Sequence, residues 1–96
     1  RQNIVTMKNR HSIYYLLWQQ NTISNWPIYH TLYDKCHTEL TTYCLSILNN
    51  QKVARVIAYE AILELLSQLD DECVQNPDAW VINLVAQKCH RHRAAA

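Results

Sequence analysis

An all-α fold, a compact bundle of four helices with the third helix central, is what the sequence predicts, on three observations. The 96 residues contain no Gly, 49% of them are hydrophobic, and the apolar positions recur at helical spacing. A globular chain of this length ordinarily carries about seven Gly, because turns with positive φ favour that residue. Hairpins built on Asn-Gly, Asp-Gly or Gly-X turns are therefore excluded, as are the glycine-rich phosphate loops of nucleotide-binding proteins. At roughly 100–150 residues per domain, the whole chain, residues 1–96, is a single helical domain. Charged residues make up 18%, against about 25% in typical globular domains, so the chain is apolar enough to form a core.

Residues 1–11 are polar and weakly patterned and read as an N-terminal arm, leaving 12–93 for the bundle. Ser12 is suited to cap a first helix running to about Gln20, with Ile13, Leu16, Leu17 and Gln20 along one side. Asn21 to Asn25 is the first break. Asn25 is then positioned to cap a second helix, whose first turn tolerates Pro27 because that position needs no N–H. Tyr29, Leu32, Tyr33, Cys36, Leu40, Tyr43, Cys44, Ile47 and Leu48 form one apolar stripe, with Thr38, Thr41 and Thr42 off it. Asn49-Asn50 ends the stripe, Asn being the usual substitute where Gly would cap.

The third helix is expected from about Lys52 to Leu69. Val53, Val56, Ile57, Ile62, Leu63, Leu65, Leu66 and Leu69 make it apolar around most of its circumference, which predicts the central position. Asp70 to Gln75 is a polar loop. Asn76-Pro77-Asp78 starts the fourth helix with a cap residue, a preset φ and an acid at the positive helix end. That helix carries Trp80, Val81, Leu84, Val85 and Lys88 on its inner side and ends in basic residues. Trp80 is expected to be buried against the second and third helices.

Formal net charge is +1, but its distribution is uneven. Between Val53 and Glu72 only Arg55 opposes Glu60, Glu64, Asp70, Asp71 and Glu72, a net of −4. From Lys88 to Arg93 the cations Lys88, Arg91 and Arg93 stand alone beside His90 and His92, a net of +3. Such a split suggests two different partner surfaces, or a helix end complemented by cations in its last turn. The four cysteines, Cys36, Cys44, Cys73 and Cys89, lack the spacing of a disulfide scaffold and read as reduced, small hydrophobes of a cytoplasmic protein. Cys36-His37, Cys89-His90 and His92 lack metal-ligand spacing, and neighbouring helical residues point about 100° apart, so no metal or cofactor is expected. No residue stands out as a nucleophile, and an enzyme is not expected. No apolar run approaches the ~18 residues of a membrane span.

The order of these features, from Trp26 to Arg93, resembles the second conserved region of bacterial sigma factors, in the compact form of the extracytoplasmic-function group. Leu32-Tyr33 matches that region's Leu-Tyr pair, and Tyr43 to Leu48 followed by Asn49-Asn50 matches its amphipathic helix and polar break. Ala54 and Glu60 leading into Ile62-Leu63 match its third helix. Asn76-Pro77-Asp78-Ala79-Trp80, then an aliphatic helix that turns basic, matches its Asn-Pro-x-Ala-Trp segment. The resemblance implies a transcription initiation module that binds the clamp helices of the largest RNA polymerase subunit and the non-template strand of promoter −10 DNA. A second sigma-like subunit or an anti-sigma factor is a further implied partner.

On that resemblance, polymerase binding falls to Glu60, Glu64 and Arg55, and DNA binding to Lys88, His90, Arg91, His92, Arg93 and Trp80. The chain departs from the family where acids usually open the third helix; Val53, Arg55 and Val56 stand there instead. Ala86-Gln87 and Arg91 replace the family's later Arg-Asn pair and Asp, and the loop that captures a promoter base carries Asp70, Asp71 and Glu72. Acids beside a phosphate backbone oppose binding. The alternative is therefore a degenerate sigma-like adaptor acting only through protein–protein contacts. With no helix-turn-helix region in the sequence, a fragment, one half of a split factor and a stand-alone adaptor are all consistent readings.

Overall fold

A computed structural model describes residues 12–95 of the chain. Four helices fill them: α1 Ile13–Thr22, α2 Trp26–Leu48, α3 Gln51–Asp70 and α4 Pro77–Ala95. The expected arm, residues 1–11, lies outside the described residues. No strand occurs among the described residues, and none of the helices is long and apolar enough to cross a membrane.

Each helix end has a local cause. Ser12 Oγ accepts from the Tyr14 and Tyr15 amides, satisfying two orphan donors of α1. Asn50 Oδ1 accepts from the Val53 amide at 3.1 Å, which starts α3 at Gln51, one residue earlier than expected. Asn76 Oδ1 accepts from the Ala79 amide at 3.3 Å and starts α4. Asn25 behaves differently: its side chain makes no capping bond. Its φ of −85° and ψ of 78° depart from the extended shape that aims a cap side chain inward, and its own amide is held by Gln20 O.

Without Gly, the C-termini use Ser, Asn and Glu in the left-handed region. Ser24, Asn49 and Glu72 have φ of 59°, 57° and 55°. After α1, the Asn25 amide donates to Gln20 O and the Ser24 amide to Asn21 O. After α3, the Cys73 amide donates to Gln68 O and the Glu72 amide to Leu69 O. Both are Schellman closures, whereas Asn49 donates singly to Leu45 O. Asn49 thus closes α2 and Asn50 opens α3, making a tight helical hairpin.

The core centres on α3, which buries Ala54, Ile57, Ala58, Ala61, Ile62, Leu65, Leu66 and Leu69. α2 contributes Cys36, Leu40, Thr41 and Cys44; α4 contributes Pro77, Val81, Val85 and Cys89 at four-residue intervals; α1 contributes Tyr14 and Leu17. Three side-chain bonds fasten α1 across the bundle. Ser12 Oγ donates to Asp78 Oδ1 at 2.5 Å, Tyr14 Oη to Glu39 Oε1 at 2.9 Å, and Trp18 Nε1 to Asp70 Oδ1 at 2.7 Å.

Four expectations need correction. Tyr14 and Leu17, rather than Leu16, form the buried side of α1, because the Tyr14 hydroxyl finds Glu39 inside the groove against α2. Thr41 is buried on α2, where it lies beside Leu40 and one turn before Cys44. Trp80 is half-buried at the edge of the core, because the inner row of α4 passes through Pro77, Val81, Val85 and Cys89 and leaves Trp80 about 100° round the helix from Val81. Val56 and Leu63, expected inside, are 52% and 46% exposed, because neighbours cover α3 on only part of its circumference.

Two stability measurements follow. Ser24→Gly and Glu72→Gly are each expected to stabilise the protein by about 0.5–1 kcal/mol, since relief of the left-handed conformation exceeds the added freedom of Gly in the unfolded chain. Urea unfolding curves measure this, and a destabilisation by both would mean that the side chains contribute more than the backbone strain costs. The Thr41 hydroxyl is buried with no hydrogen-bond partner among the described residues. Thr41→Val keeps its shape and is expected to add about 1 kcal/mol; a loss of stability would show that the hydroxyl is in fact bonded.

Candidate functional site: an open face across α2, α3 and α4

The uncovered side of α3 carries Val56, Tyr59, Glu60, Leu63 and Glu64, all exposed, at positions that recur every three or four residues. Large apolar groups seldom stand together on a helix surface without a partner. On one flank lies an aromatic row from α2. Trp26 meets Tyr29 edge-on with centroids 5.6 Å apart, Tyr29 stacks on Tyr33 at 6.1 Å, and Tyr33 stacks on His37 at 5.6 Å. His37 Nε2 donates to the Arg55 carbonyl at 3.0 Å, joining this row to α3. Partial burial raises the Tyr29 and Tyr33 phenols above their ordinary range, with Cys36 adding at Tyr29, Tyr29 adding at Tyr33, and Tyr59 adding at both.

On the other flank is α4. Lys88 Nζ lies 2.7 Å from Glu64 Oε2 and 3.5 Å from Glu60 Oε1. The Lys88 side chain is only 16% exposed, while the two carboxylates are about half exposed. One cation therefore answers two acids, and the three charges leave a residual −1. Val53, Val56, Ile57, Glu60, Lys88, Arg91 and His92 line a shallow groove between the two helices.

The structure thus brings together two sets of residues that the sequence assigned to separate partners. Glu60 and Glu64, assigned to polymerase, are bonded to Lys88, assigned to DNA. Arg91 and His92 share a groove with Glu60 and Lys88, and His90, Arg91, His92 and Arg93 are all exposed on the last turns of α4. Arg55 is exposed on α3, its backbone carbonyl accepting from His37, and its side chain does not line that groove. Trp80 lies eight residues before Lys88, about 12 Å along the helix axis, and so does not share the groove.

The pairing of Lys88 with α3 also fixes polarity. α4 runs back along α3, so its basic end lies beside the first turns of α3, where Lys52 and Arg55 are exposed. Asp70, Asp71 and Glu72 are at the opposite end of the bundle, with Asp70 held by Trp18. Val56, Leu63, Tyr29 and Tyr33 were expected only as apolar helix positions, and Tyr59, Trp26 and His37 were not singled out for this face. Their signal is the spacing 26, 29, 33, 37 on α2 and 56, 59, 63 on α3, which periodicity alone assigns equally well to a core.

Elsewhere, burial pushes the Cys36 thiol up to about 12, with the Glu39 and Asp78 charges adding to it. Burial and the bond to Glu39 raise the Tyr14 phenol well above its ordinary value. No group of three or more metal-ligating side chains converges among the described residues. No protein-family profile, curated protein or solved structure matches the chain.

A double-mutant cycle tests the ion pair. Lys88→Met combined with Glu64→Gln is expected to give a coupling of about 0.5–1 kcal/mol that shrinks with added salt. Strictly additive effects on unfolding would show that the pair does not form in solution.

Proposed function

We propose that the chain is a sigma-factor-like transcription initiation module that docks on core RNA polymerase through the open face of α3 and approaches single-stranded promoter DNA with the last turns of α4. The observation that carries this reading is adjacency: the exposed apolar and acidic face of α3 and the cationic end of α4 meet along one groove. A protein-facing surface and a nucleic-acid-facing surface side by side are what an initiation module needs. Val56, Tyr59 and Leu63 supply the apolar area a partner would cover, and Glu60 and Glu64 orient a cationic partner with their half-exposed carboxylates. Arg91 and Arg93, rather than Lys88, are the cations left for phosphate. The resemblance of the Asn76 to Trp80 segment and of the helix order to the sigma family supports the same reading. A cytoplasmic location, and an anti-sigma factor or second sigma-like subunit as a competing occupant of the α3 face, belong to it.

A second reading, the sigma-like adaptor without DNA contact, is favoured by one observation. Lys88 is already engaged by Glu60 and Glu64, which removes a cation from the candidate DNA surface.

A pull-down with core polymerase beside salt-titrated binding to single-stranded promoter DNA separates the two. Tyr59→Ala with Leu63→Ser is expected to weaken polymerase capture about tenfold or more with the fold intact, since both residues are exposed. Arg91→Ala with Arg93→Ala is expected to leave capture unchanged and lower the salt slope of DNA binding by about 1.4, the loss of two single-strand phosphate contacts. Reversing Glu60 and Glu64 to Lys is a poor test, because it also crowds Lys88. Capture of polymerase without DNA affinity favours the adaptor; absence of both rejects the sigma-like reading.

A further inference from the structure

Cys44 on α2 and Cys89 on α4 are both fully buried, and their sulfurs lie 2.8 Å apart. The sulfurs are separated by 45 positions in sequence and brought together only by the packing of α4 against α2. That is closer than two non-bonded sulfur atoms ordinarily sit, and about 0.8 Å longer than a disulfide bond. Cys36, though buried, belongs to the opposite part of the core near Tyr14, Glu39 and Asp78, and Cys73 is exposed. No His, Asp or Glu completes a metal site with the pair among the described residues.

We infer that Cys44 and Cys89 are an oxidation site: a small peroxide converts them into a disulfide that ties α2 to α4 through the core, beside the turns that carry the basic residues. The inference stands on this geometry and does not depend on the functional reading above. The chemistry balances with hydrogen peroxide as oxidant. One sulfur attacks a peroxide oxygen, the O–O bond breaks, and water leaves with that thiol's proton, giving a sulfenic acid. The second sulfur attacks the sulfenyl sulfur, the S–S bond forms as the S–O bond breaks, and the hydroxyl leaves as a second water with the remaining thiol proton. Two electrons pass from the sulfur pair to the peroxide.

Burial, with the bond to Cys89, holds the Cys44 thiol well above its ordinary value, so thiolate is scarce in the closed protein at neutral pH. Cys89 sits within the last two turns of α4, which ends at Ala95. The first step therefore proceeds through opening of those turns and accelerates as the pH rises. Once formed, the bond closes a long loop and restricts the unfolded chain.

The test uses the full chain carrying Cys73→Ser, which removes the exposed thiol and leaves three. The folded protein is treated with hydrogen peroxide, denatured, alkylated and weighed. Expected are one alkyl adduct in place of three, a mass otherwise lower by two hydrogens, and a Cys44–Cys89 linked peptide with Cys36 alkylated. The Tm is expected to rise by about 10 °C or more and to fall back on reduction. Persistence of all three thiols, a linkage through Cys36, or conversion to sulfinic acid without a cross-link overturns the proposal. Cys89→Ala should abolish the redox dependence of the Tm; if that variant does not fold, the linked-peptide map of the Cys73→Ser chain decides alone.

Discussion

Everything else in the bundle depends on α3 being able to meet its neighbours at once. Its inner arc alternates Ala54, Ala58 and Ala61 with Ile57, Ile62, Leu65, Leu66 and Leu69. The three alanines are fully buried and project little, so neighbouring helices can come close, while the larger residues fill the space between them. A helix surrounded in this way has only part of its circumference left. The residues on that remaining arc, Val56, Tyr59, Leu63 and the two glutamates, are exposed because none of the four described helices packs over them. The candidate functional face is a by-product of the core geometry.

The absence of Gly shapes the connections. Each of the first three helices ends at a residue with φ near 55–59°, a conformation that costs a residue with a Cβ on the order of 1 kcal/mol. The closures nevertheless keep the loops short, and short loops force neighbouring helices to run antiparallel. Antiparallel α3 and α4 in turn set the basic end of one beside the first turns of the other and send Asp70, Asp71 and Glu72 to the far end. Only part of the charge split seen along the sequence becomes a split in space, because Glu60 and Glu64 are brought to Lys88. Ser12 contributes at both levels, capping α1 and donating to Asp78 at the start of α4.

The electrostatics of the open face follow from one shared cation. Two carboxylates four residues apart on a helix repel each other. Lys88 reaches both, with its stem packed in the groove and its ammonium against Glu64. This makes the face less acidic and the end of α4 less basic than the sequence suggests. It also couples the two surfaces: whatever draws Lys88 away leaves Glu60 and Glu64 uncompensated.

Helix number and order, and boundaries to within about two residues, were determined by the sequence alone, because each rests on local chemistry: a cap side chain, a proline in a first turn, an Asn in the left-handed region, or a stripe at helical spacing. The expected limits of α3 moved by one residue at each end. Helix rotation was decided by tertiary structure. Thr41 is inside and Trp80 only half inside because the inward arc of each helix is set by where its neighbours lie, and a stripe broad enough to be apolar on two sides permits several rotations. The candidate site was legible as a set of charged residues and illegible as an arrangement. Lys88 and Glu64 are 24 positions apart and Cys44 and Cys89 are 45 apart, and nothing short of the packed bundle brings either pair within bonding distance.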